Sequence, residues 1–398
     1  MLKPFFLFVF ALFLPIFLMA QKESSVLKKA DKMVALRQYE SAYRLLDEYD
    51  PTNDRVAVVL KKEDILLNYF AQSIMHKFFS LKDLEEDETL QFVRVNFETG
   101  NLYGFNVDSL IRRLLVSHPG DCRLLNGYVS YMEALLDDYG VDLWSSNLDT
   151  SLTLMSQAAS VNCNNPSACC QLGVYYHYYE VFDSALCYYH RATTLCDTMW
   201  HAFFNLGLIE FYNLSMHTQG IQDLQKSLKG YSMPVYKAQV ARALGIIYDD
   251  ELHNSDSAYK YYSMAVDING EDMTNCMFLA IFYASRNDQR TFYAMRDAWR
   301  AGVKHDVLWN NLEWMFMRVK GVADNETVVV DFLKRMLKET DTPYEKGICW
   351  LFLGKYEDDV KTAVNFYNEA IDYFRQADAP DYFIDGILEE IEERTTQQ

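Results

Sequence analysis

Cys187 and His190 form the pattern in this chain that comes closest to a metal site. They lie three positions apart, which places them on one face of a predicted helix, and the preceding predicted helix carries Cys170 and His177. Zinc needs three or four such ligands within about 2.0 to 2.3 Å of one point. Because these positions usually pack against a neighbouring helix, we expect core residues here and no metal.

A second chemically suggestive segment is His118-Pro119-Gly120-Asp121-Cys122. The Pro-Gly pair marks a turn more often than a catalytic loop, so we expect a connection between two helices. The chain contains no phosphate loop, no dinucleotide glycine fingerprint, no nucleophile elbow and no paired histidines of a zinc protease. The sequence therefore predicts no catalytic residue and no cofactor.

Eight cysteines raise the question of disulfides, because the chain carries features of an exported protein. Several fall at helical positions where cysteine packs as a small apolar residue, so we expect free, buried thiols. A bridge, where one forms, is expected within the cluster from Cys163 to Cys196.

The composition narrows the class of fold and partner. With 37 basic against 56 acidic residues the formal net charge is −19, and no block of basic residues interrupts the acidic background. Nucleic-acid affinity depends on lysine and arginine, so we expect no nucleic-acid partner. Half of the chain is apolar, and it has only 16 glycines and 8 prolines, which favours a large helical core.

The first twenty residues have the layout of a secretory signal. Lys3 precedes an uncharged run from Phe5 to Met19, and Ala20 supplies a small residue before a polar stretch. We expect cleavage after Ala20, export, and a soluble mature chain in the periplasm of a Gram-negative bacterium. An uncleaved membrane anchor is the alternative, because bulky Leu18 occupies a position that prefers a small residue.

An internal repeat organises the rest of the chain. The small residues Gly173, Gly207, Gly245 and Ala280 follow one another at intervals of 34, 38 and 35 residues. A period near 34 is typical of stacked helical hairpins. Downstream, the pattern Ala-x3-Tyr-x2-Ala occurs three times, at Ala185/Tyr189/Ala192, Ala258/Tyr262/Ala265 and Ala363/Tyr367/Ala370.

These residues resemble the tetratricopeptide repeat (TPR) family, whose first helix (helix A) carries Leu-Gly and Tyr and whose second (helix B) carries two alanines around an aromatic residue. The resemblance is clearest from Cys169 to Asp197 and implies an all-α, right-handed superhelical solenoid of antiparallel helix hairpins. Asn165 and Pro166 are suited to begin its helix A. The residues expected to pack the repeats are Leu172, Gly173, Tyr176, Ala185, Tyr189, Ala192, Gly207, Gly245, Ala258, Tyr262 and Ala265.

Five segments are expected along the chain: a signal peptide (1–20), N-terminal hairpins (21–84), an irregular insertion (85–107), TPR-like repeats (108–300), and degenerate repeats with a capping helix (301–398). The first hairpin is predicted from Leu36, Tyr39, Ala42 and Leu46. Within the insertion Val93, Val95 and Phe97 alternate like a short strand. In the capping helix Ile384, Ile387, Leu388 and Ile391 form one apolar stripe.

The resemblance implies a concave surface lined by helix-A residues, with Tyr176 and Tyr189 in the core. The lining residues, expected to be partly exposed, are His177, Tyr178, His201, Phe204, Phe211, Tyr212 and Arg242. Such a surface suits an extended peptide or partner helix. The expected function is a non-enzymatic, protein-binding scaffold in assembly or regulation of an envelope complex. Two alternatives remain: a carbohydrate-binding protein with exposed tryptophans and tyrosines at one rim, and an enzyme with an unrecognised site.

Overall fold

The computed structural model describes residues 21–96, 101–139, 148–304, 308–323, 325 and 327–396. The chain divides into two compact units, Met1–Met216 and His217–Gln398, at a point that the repeat pattern does not mark. Each unit has its own cluster of buried apolar side chains. The predicted signal segment, residues 1–20, lies outside the described residues.

The first unit is built of short helices with one small sheet. Residues 21–35 form helix α1. The others are α2 (Tyr39–Tyr49), α3 (Val56–Tyr69), β1 (Gln72–Ile74), β2 (Phe78–Ser80), α4 (Leu90–Asn96), β3 (Leu102–Gly104), α5 (Val107–Ser117), α6 (Cys122–Tyr139), α7 (Leu148–Ala159), α8 (Pro166–Tyr178), α9 (Phe182–Leu195) and α10 (Trp200–Tyr212).

The described residues of the second unit form helices joined by turns, with no strand among them. Its helices are α11 (His217–Gly230), α12 (Pro234–Ile246, extended by the π-helical turn Ile247–Glu251), α13 (Ser255–Ile268), α14 (Met273–Ala284), α15 (Arg290–Lys304), α16 (Leu308–Val322), α17 (Val328–Glu339), α18 (Pro343–Lys355), α19 (Val360–Gln376) and α20 (Asp381–Thr396). Sequential helices pair as hairpins, most extensively α12 with α13, α14 with α15 and α18 with α19. The all-α solenoid expectation is thus confirmed.

Local sequence sets the ends of the best-matched hairpin, α8 and α9. The Asn165 side chain accepts a hydrogen bond of 2.9 Å from the amide of Ala168, and Pro166 follows as the first helical residue. At the other end Glu180 takes a left-handed conformation with φ 59°, and the amide of Val181 donates to the Tyr176 carbonyl at 2.8 Å. The chain therefore turns back within three residues, and α9 packs along α8.

Glycine on helix A and tyrosine on helix B bring the two helices of a hairpin together. A Cβ atom built on Gly173 would lie 2.6 Å from the Tyr189 ring, and the same contact recurs for Gly245 with Tyr262 at 2.6 Å. Gly354 and Tyr367 repeat it in the last hairpin, at 2.5 Å. No side chain fits at such distances without displacing the ring, so the glycine sets the spacing.

In unit Met1–Met216, helices α3, α6, α8 and α10 contact one another in that order, while α5, α7 and α9 pack between successive members. We call the four helices α3, α6, α8 and α10 the helix-A set, and the surface that they share the helix-A face. The two hydroxyls of Tyr128 on α6 and Ser151 on α7 bond at 2.7 Å inside this stack.

The small sheet interrupts the stack between α3 and α5. Strands β1, β2 and β3 are antiparallel in that order. The three-residue β1–β2 turn, residues 75–77, places Met75 and His76 at φ 49° and 48°, a left-handed conformation that Asn and Gly usually supply. Without that signal in the sequence, the strands were not expected.

The predicted strand at Val93 and Val95 is wrong, because both residues lie in α4. Thr89 accepts a hydrogen bond of 3.1 Å from the amide of Phe92 at the start of this helix, and Val93 is buried while Val95 is exposed. In a helix, two residues two positions apart lie on opposite sides, so the burial pattern mimics alternation. Phe97 lies outside the described residues.

The first hairpin and the last helix follow the predicted apolar patterns with one exception each. Tyr39, Ala42 and Leu46 are buried on α2, but Leu36 lies in the preceding turn and is exposed. On α20 Ile387 is buried and Ile384 and Ile391 pack against the core, whereas Leu388 is exposed.

One disulfide joins Cys122, at the start of α6, to Cys163, after α7, with a Cα–Cα distance of 5.3 Å. The expectation of free thiols throughout is therefore wrong, and the partner of Cys163 lies outside the predicted cluster. Cys169, Cys170, Cys276 and Cys349 are free and buried. None of the described helices combines the length and the apolar character that crossing a membrane requires.

We expect Gly173→Ala to lower the free energy of unfolding by about 1 to 3 kcal/mol, because the added methyl group overpacks the Tyr189 contact. Gly386→Ala is the matched control, since Gly386 lies in α20 with open space around its Cβ position. There alanine should be neutral or stabilising by up to about 1 kcal/mol. Chemical denaturation followed by circular dichroism measures both, and equal effects would contradict the predicted contact.

Candidate functional site

Two members of the helix-A set, α8 and α10, carry large exposed aromatic side chains. Tyr178 is 60% exposed and Tyr212 is 47% exposed. His201, at the start of α10, is also exposed. These are three of the seven predicted lining residues, and α8 and α10 are in direct contact. Whether they bind a partner remains a prediction.

Phe204 and Phe211 are buried, 8% and 3% exposed, so the expectation that they line an open surface is wrong. The two residues are seven positions apart on α10 and share one side of it. Helix α10 is apolar on most of its circumference, and such a helix is covered by neighbours on more than one side. Their role is packing.

His177 is half-buried and belongs to its own hairpin. Its ring meets Phe182 and Tyr189 edge-on, with centroids 6.0 and 6.5 Å apart. Burial lowers the pKa of His177, because the charged imidazolium loses solvent. The side chain is therefore neutral at pH 7 and part of the α8–α9 contact.

Arg242 lies on α12 in the second unit, and its side chain contacts the start of α14. Its guanidinium donates to Asn275 Oδ1 at 2.6 Å and lies 3.4 Å from Asp272 Oδ2. It also lies 5.8 Å from the centre of the Phe278 ring. Arg242 is partly exposed, as expected, but its side chain also joins α12 to α14.

Of the two tyrosines predicted for the core, Tyr189 is completely buried but Tyr176 is only half-buried. Tyr176 stacks on Tyr188 of α9 with ring centroids 5.5 Å apart and planes 5° from parallel. The other residues predicted to pack the repeats are buried: Leu172, Gly173, Ala185, Ala192, Gly207, Gly245, Ala258, Tyr262 and Ala265.

The cysteines and histidines singled out for metal chemistry do not converge. Cys187 and His190 are exposed on α9, which corrects their expected place in the core, while Cys170 is buried on α8. Over the described ranges, no three His, Cys, Asp or Glu side chains come close enough to hold a metal ion. The segment from His118 to Cys122 forms the expected turn, with Gly120 at φ 72°.

A cavity of about 530 Å³ opens between α3 and α6 on the helix-A face. We call it the Glu63 pocket, lined by Leu60, Glu63, Asp64, Leu67, Asn68, Arg123, Asn126, Gly127, Ser130, Glu133 and Ala134. Glu63 is 3% exposed, and neither carboxyl oxygen has a hydrogen-bond partner. Burial, and secondarily the charge of Asp64, raises the pKa of Glu63 to about 8.

The adjacent buried charge, Lys62, is in the opposite situation. Its ammonium donates to Asp47 Oδ1 at 2.8 Å, to the Asp50 carbonyl at 2.8 Å and to Asn53 Oδ1 at 2.7 Å. All three of its protons are thus satisfied, as a buried ammonium requires. Lys62 is fully hydrogen-bonded and structural, whereas the buried acceptors of Glu63 have no partner.

Sequence reasoning missed Glu63, although a signal was present. The residue belongs to the charged run Lys61-Lys62-Glu63-Asp64, which is typical of a solvated surface. It also lies four positions after Val59 and three before Leu66, both completely buried. This spacing places a carboxyl group on the apolar side of a helix, where burial without a partner is costly.

The comparisons with known proteins give structural likeness only. No protein-family model and no curated protein matches the chain. Among solved structures, MamA is 17% identical, over 42% of this chain and 95% of that chain, with a TM-score of 0.36. YrrB, described as a TPR protein with an unusual peptide-binding site, is 15% identical over 55% and 91%, with a TM-score of 0.30. Human IFIT1 is 11% identical over 84% and 69%, with a TM-score of 0.42.

The IFIT1 structure corrects one expectation about partners. It is a dimer with PPP-AAAA, an RNA, so the exclusion of nucleic acid as a partner is wrong. The physical reason is that net charge is a sum over the whole surface and does not report the charge of one groove.

We expect Glu63 to make the protein less stable as the pH rises from about 5 to 8. The folded state keeps the Glu63 proton up to about pH 8, whereas the unfolded chain loses it near pH 4.5. Stability therefore falls in this window by up to about 1.4 kcal/mol per pH unit. Glu63→Gln should remove that slope, measured as the difference between variant and parent in urea unfolding at each pH. Parallel pH profiles would show that the carboxyl group is solvated.

Proposed function

We propose that the chain is a non-catalytic scaffold whose helix-A face binds an extended segment of another protein. The observation that carries this proposal is the exposure of Tyr178 and Tyr212 on two helices in contact. Tyrosine is enriched among the residues that dominate binding energy in protein interfaces. A stack of helices presents such side chains along a continuous surface without needing one deep pocket.

We further propose export to an oxidising compartment, the periplasm of a Gram-negative bacterium, and a role in assembling or regulating an envelope complex. The Cys122–Cys163 disulfide supports this, because such bridges persist in oxidising compartments and are rare in the cytosol. The signal-like layout of residues 1–20 supports it independently.

The carbohydrate-binding alternative is less favoured. It requires exposed tryptophans beside the tyrosines, since sugar rings stack on open aromatic faces. Among the described tryptophan side chains, Trp299 is buried, and Trp200, Trp314 and Trp350 are half-buried. The exposed rings on the helix-A face are those of tyrosine, which suit a protein partner equally well.

Site-specific photocrosslinking tests the proposal. A photoreactive phenylalanine analogue is introduced at Tyr178 or Tyr212, and at His190 as the control, which is exposed on α9 outside the helix-A set. In cells that express the chain, we expect a discrete crosslinked protein at positions 178 and 212 and none at 190. Crosslinks at 190 alone would place the binding surface elsewhere.

With the captured partner purified, Tyr178→Ala should weaken binding by about 1 to 3 kcal/mol. Stability should change little, since Tyr178 is 60% exposed. Unchanged affinity together with an unchanged fold would contradict the assignment of Tyr178 to the interface.

A further inference from the structure

Glu63 is a buried carboxyl group without a partner at the wall of an open cavity. Removing a carboxylate from water is costly unless a cation or hydrogen-bond donors replace the solvent. The neighbouring Lys62 is also buried, but its ammonium donates to three acceptors at 2.7 to 2.8 Å. Both carboxyl oxygens of Glu63 are covered in the free protein and have no hydrogen-bond partner. A ligand that enters the cavity and moves the atoms that cover them supplies the missing donors.

The charged groups around Glu63 are either paired with another side chain or acidic. Asp64 is paired with Lys61 at 2.9 Å. Arg123, the one cationic side chain among the lining residues, is paired with Asp121 at 2.6 Å. Glu133 adds a further carboxylate on α6. The lining thus holds three acidic groups against one arginine, which favours a cation and disfavours a phosphate or a carboxylate ligand.

Gly127 packs closely against Glu63. A Cβ atom at this position would lie 2.7 Å from Glu63 Oε2 and 2.6 Å from Leu60 Cδ2. Gly127 faces α3, the previous member of the helix-A set, and not the partner helix of its own hairpin. The absence of a side chain lets the α6 backbone pack against the Glu63 carboxyl group.

We propose that the Glu63 pocket receives the cationic end of an arginine or lysine side chain from the bound partner segment, with the Glu63 carboxylate as counter-ion. This inference rests on the proposed function of the helix-A face and names one chemical feature of its partner. Leu60, Leu67 and Ala134 provide apolar surface for the aliphatic stem, as long basic side chains require. The guanidinium or ammonium group supplies the donors that Glu63 lacks.

Binding of a cation also requires Glu63 to be ionised. The residue holds its proton up to about pH 8 in the free protein because of burial and the nearby charge of Asp64. A cation that enters below this pH must therefore displace that proton, and affinity must rise with pH by up to about tenfold per unit. Asp64, Glu133 and Arg123 are the other charged residues that line the pocket.

The test uses N-acetyl-arginine-N-methylamide as the probe and the uncharged citrulline analogue as its matched control. Isothermal titration of the chain from Gln21 onward, at pH 6, 7 and 8, reports affinity and proton release. We expect a dissociation constant of about 1 mM for the arginine probe at pH 8. Citrulline should bind at least about tenfold more weakly, as expected from the loss of a charge-assisted contact.

Three variants separate the effect of the pocket from that of the general surface charge. Glu63→Gln keeps the shape of the protonated side chain and should weaken the arginine probe at least about tenfold and abolish proton release. Glu48→Gln, an exposed carboxylate on α2, changes the net charge equally and should have no effect. Gly127→Ala should also abolish binding of the probe, because its methyl group would lie 2.7 Å from Glu63 Oε2 and displace the carboxyl group.

Equal binding of the probe to the parent protein and to Glu63→Gln, or no binding at pH 8, would overturn the assignment of a cationic ligand. That result would leave the photocrosslinking at Tyr178 and Tyr212 untouched. If crosslinking fails but arginine binding depends on Glu63, the pocket binds a cation and the protein interface lies elsewhere.

Discussion

The contact between a helix-A glycine and a helix-B tyrosine is the constraint on which the hairpins depend. At Gly173, Gly245 and Gly354 the ring of a tyrosine occupies the space that any side chain would need. The close approach turns the remaining sides of helix A toward its neighbours in the stack and toward solvent. In unit Met1–Met216 the helices α3, α6, α8 and α10 lie side by side. The exposed Tyr178 and Tyr212 lie on α8 and α10, and the Glu63 pocket lies between α3 and α6.

The two buried charged residues of α3, Lys62 and Glu63, are adjacent but have different roles, one in structure and the other in binding. Lys62 is completely buried and fully hydrogen-bonded, so it rigidifies the α2–α3 region. Glu63 is buried with open acceptors and occupies a place on the apolar side of the helix where a leucine would be more stable. A polar residue that is buried on the apolar side of a helix and gains no stabilising contact there is expected to have a functional role. The cationic ligand that we propose supplies the missing interaction.

Much of the architecture could be predicted because its signals are local or periodic. The Asn165 cap, the Pro166 start, the turn at Gly120 and the glycine–tyrosine register all depend on residues a few positions apart or on a fixed period. The β-hairpin at Met75 and His76 could not be predicted, since two non-glycine residues adopt positive φ there without the usual turn sequence. The partner of Cys163 is 41 residues away, and nothing local marks it.

The candidate site was predictable only in outline. Tyr178 and Tyr212 are exposed, but Phe204, Phe211 and Arg242 are committed to packing or to neighbouring polar groups that a helix register does not reveal. Glu63 emerges only when the burial of its carboxyl group is known. The most direct test is therefore to measure the ionisation of that carboxyl group. Its ¹³Cδ chemical shift is recorded in labelled protein as the pH is varied. We expect a midpoint near pH 8 that falls when the arginine probe is added. A midpoint near pH 4.5 that the probe does not move would show that Glu63 is solvated and binds no cation.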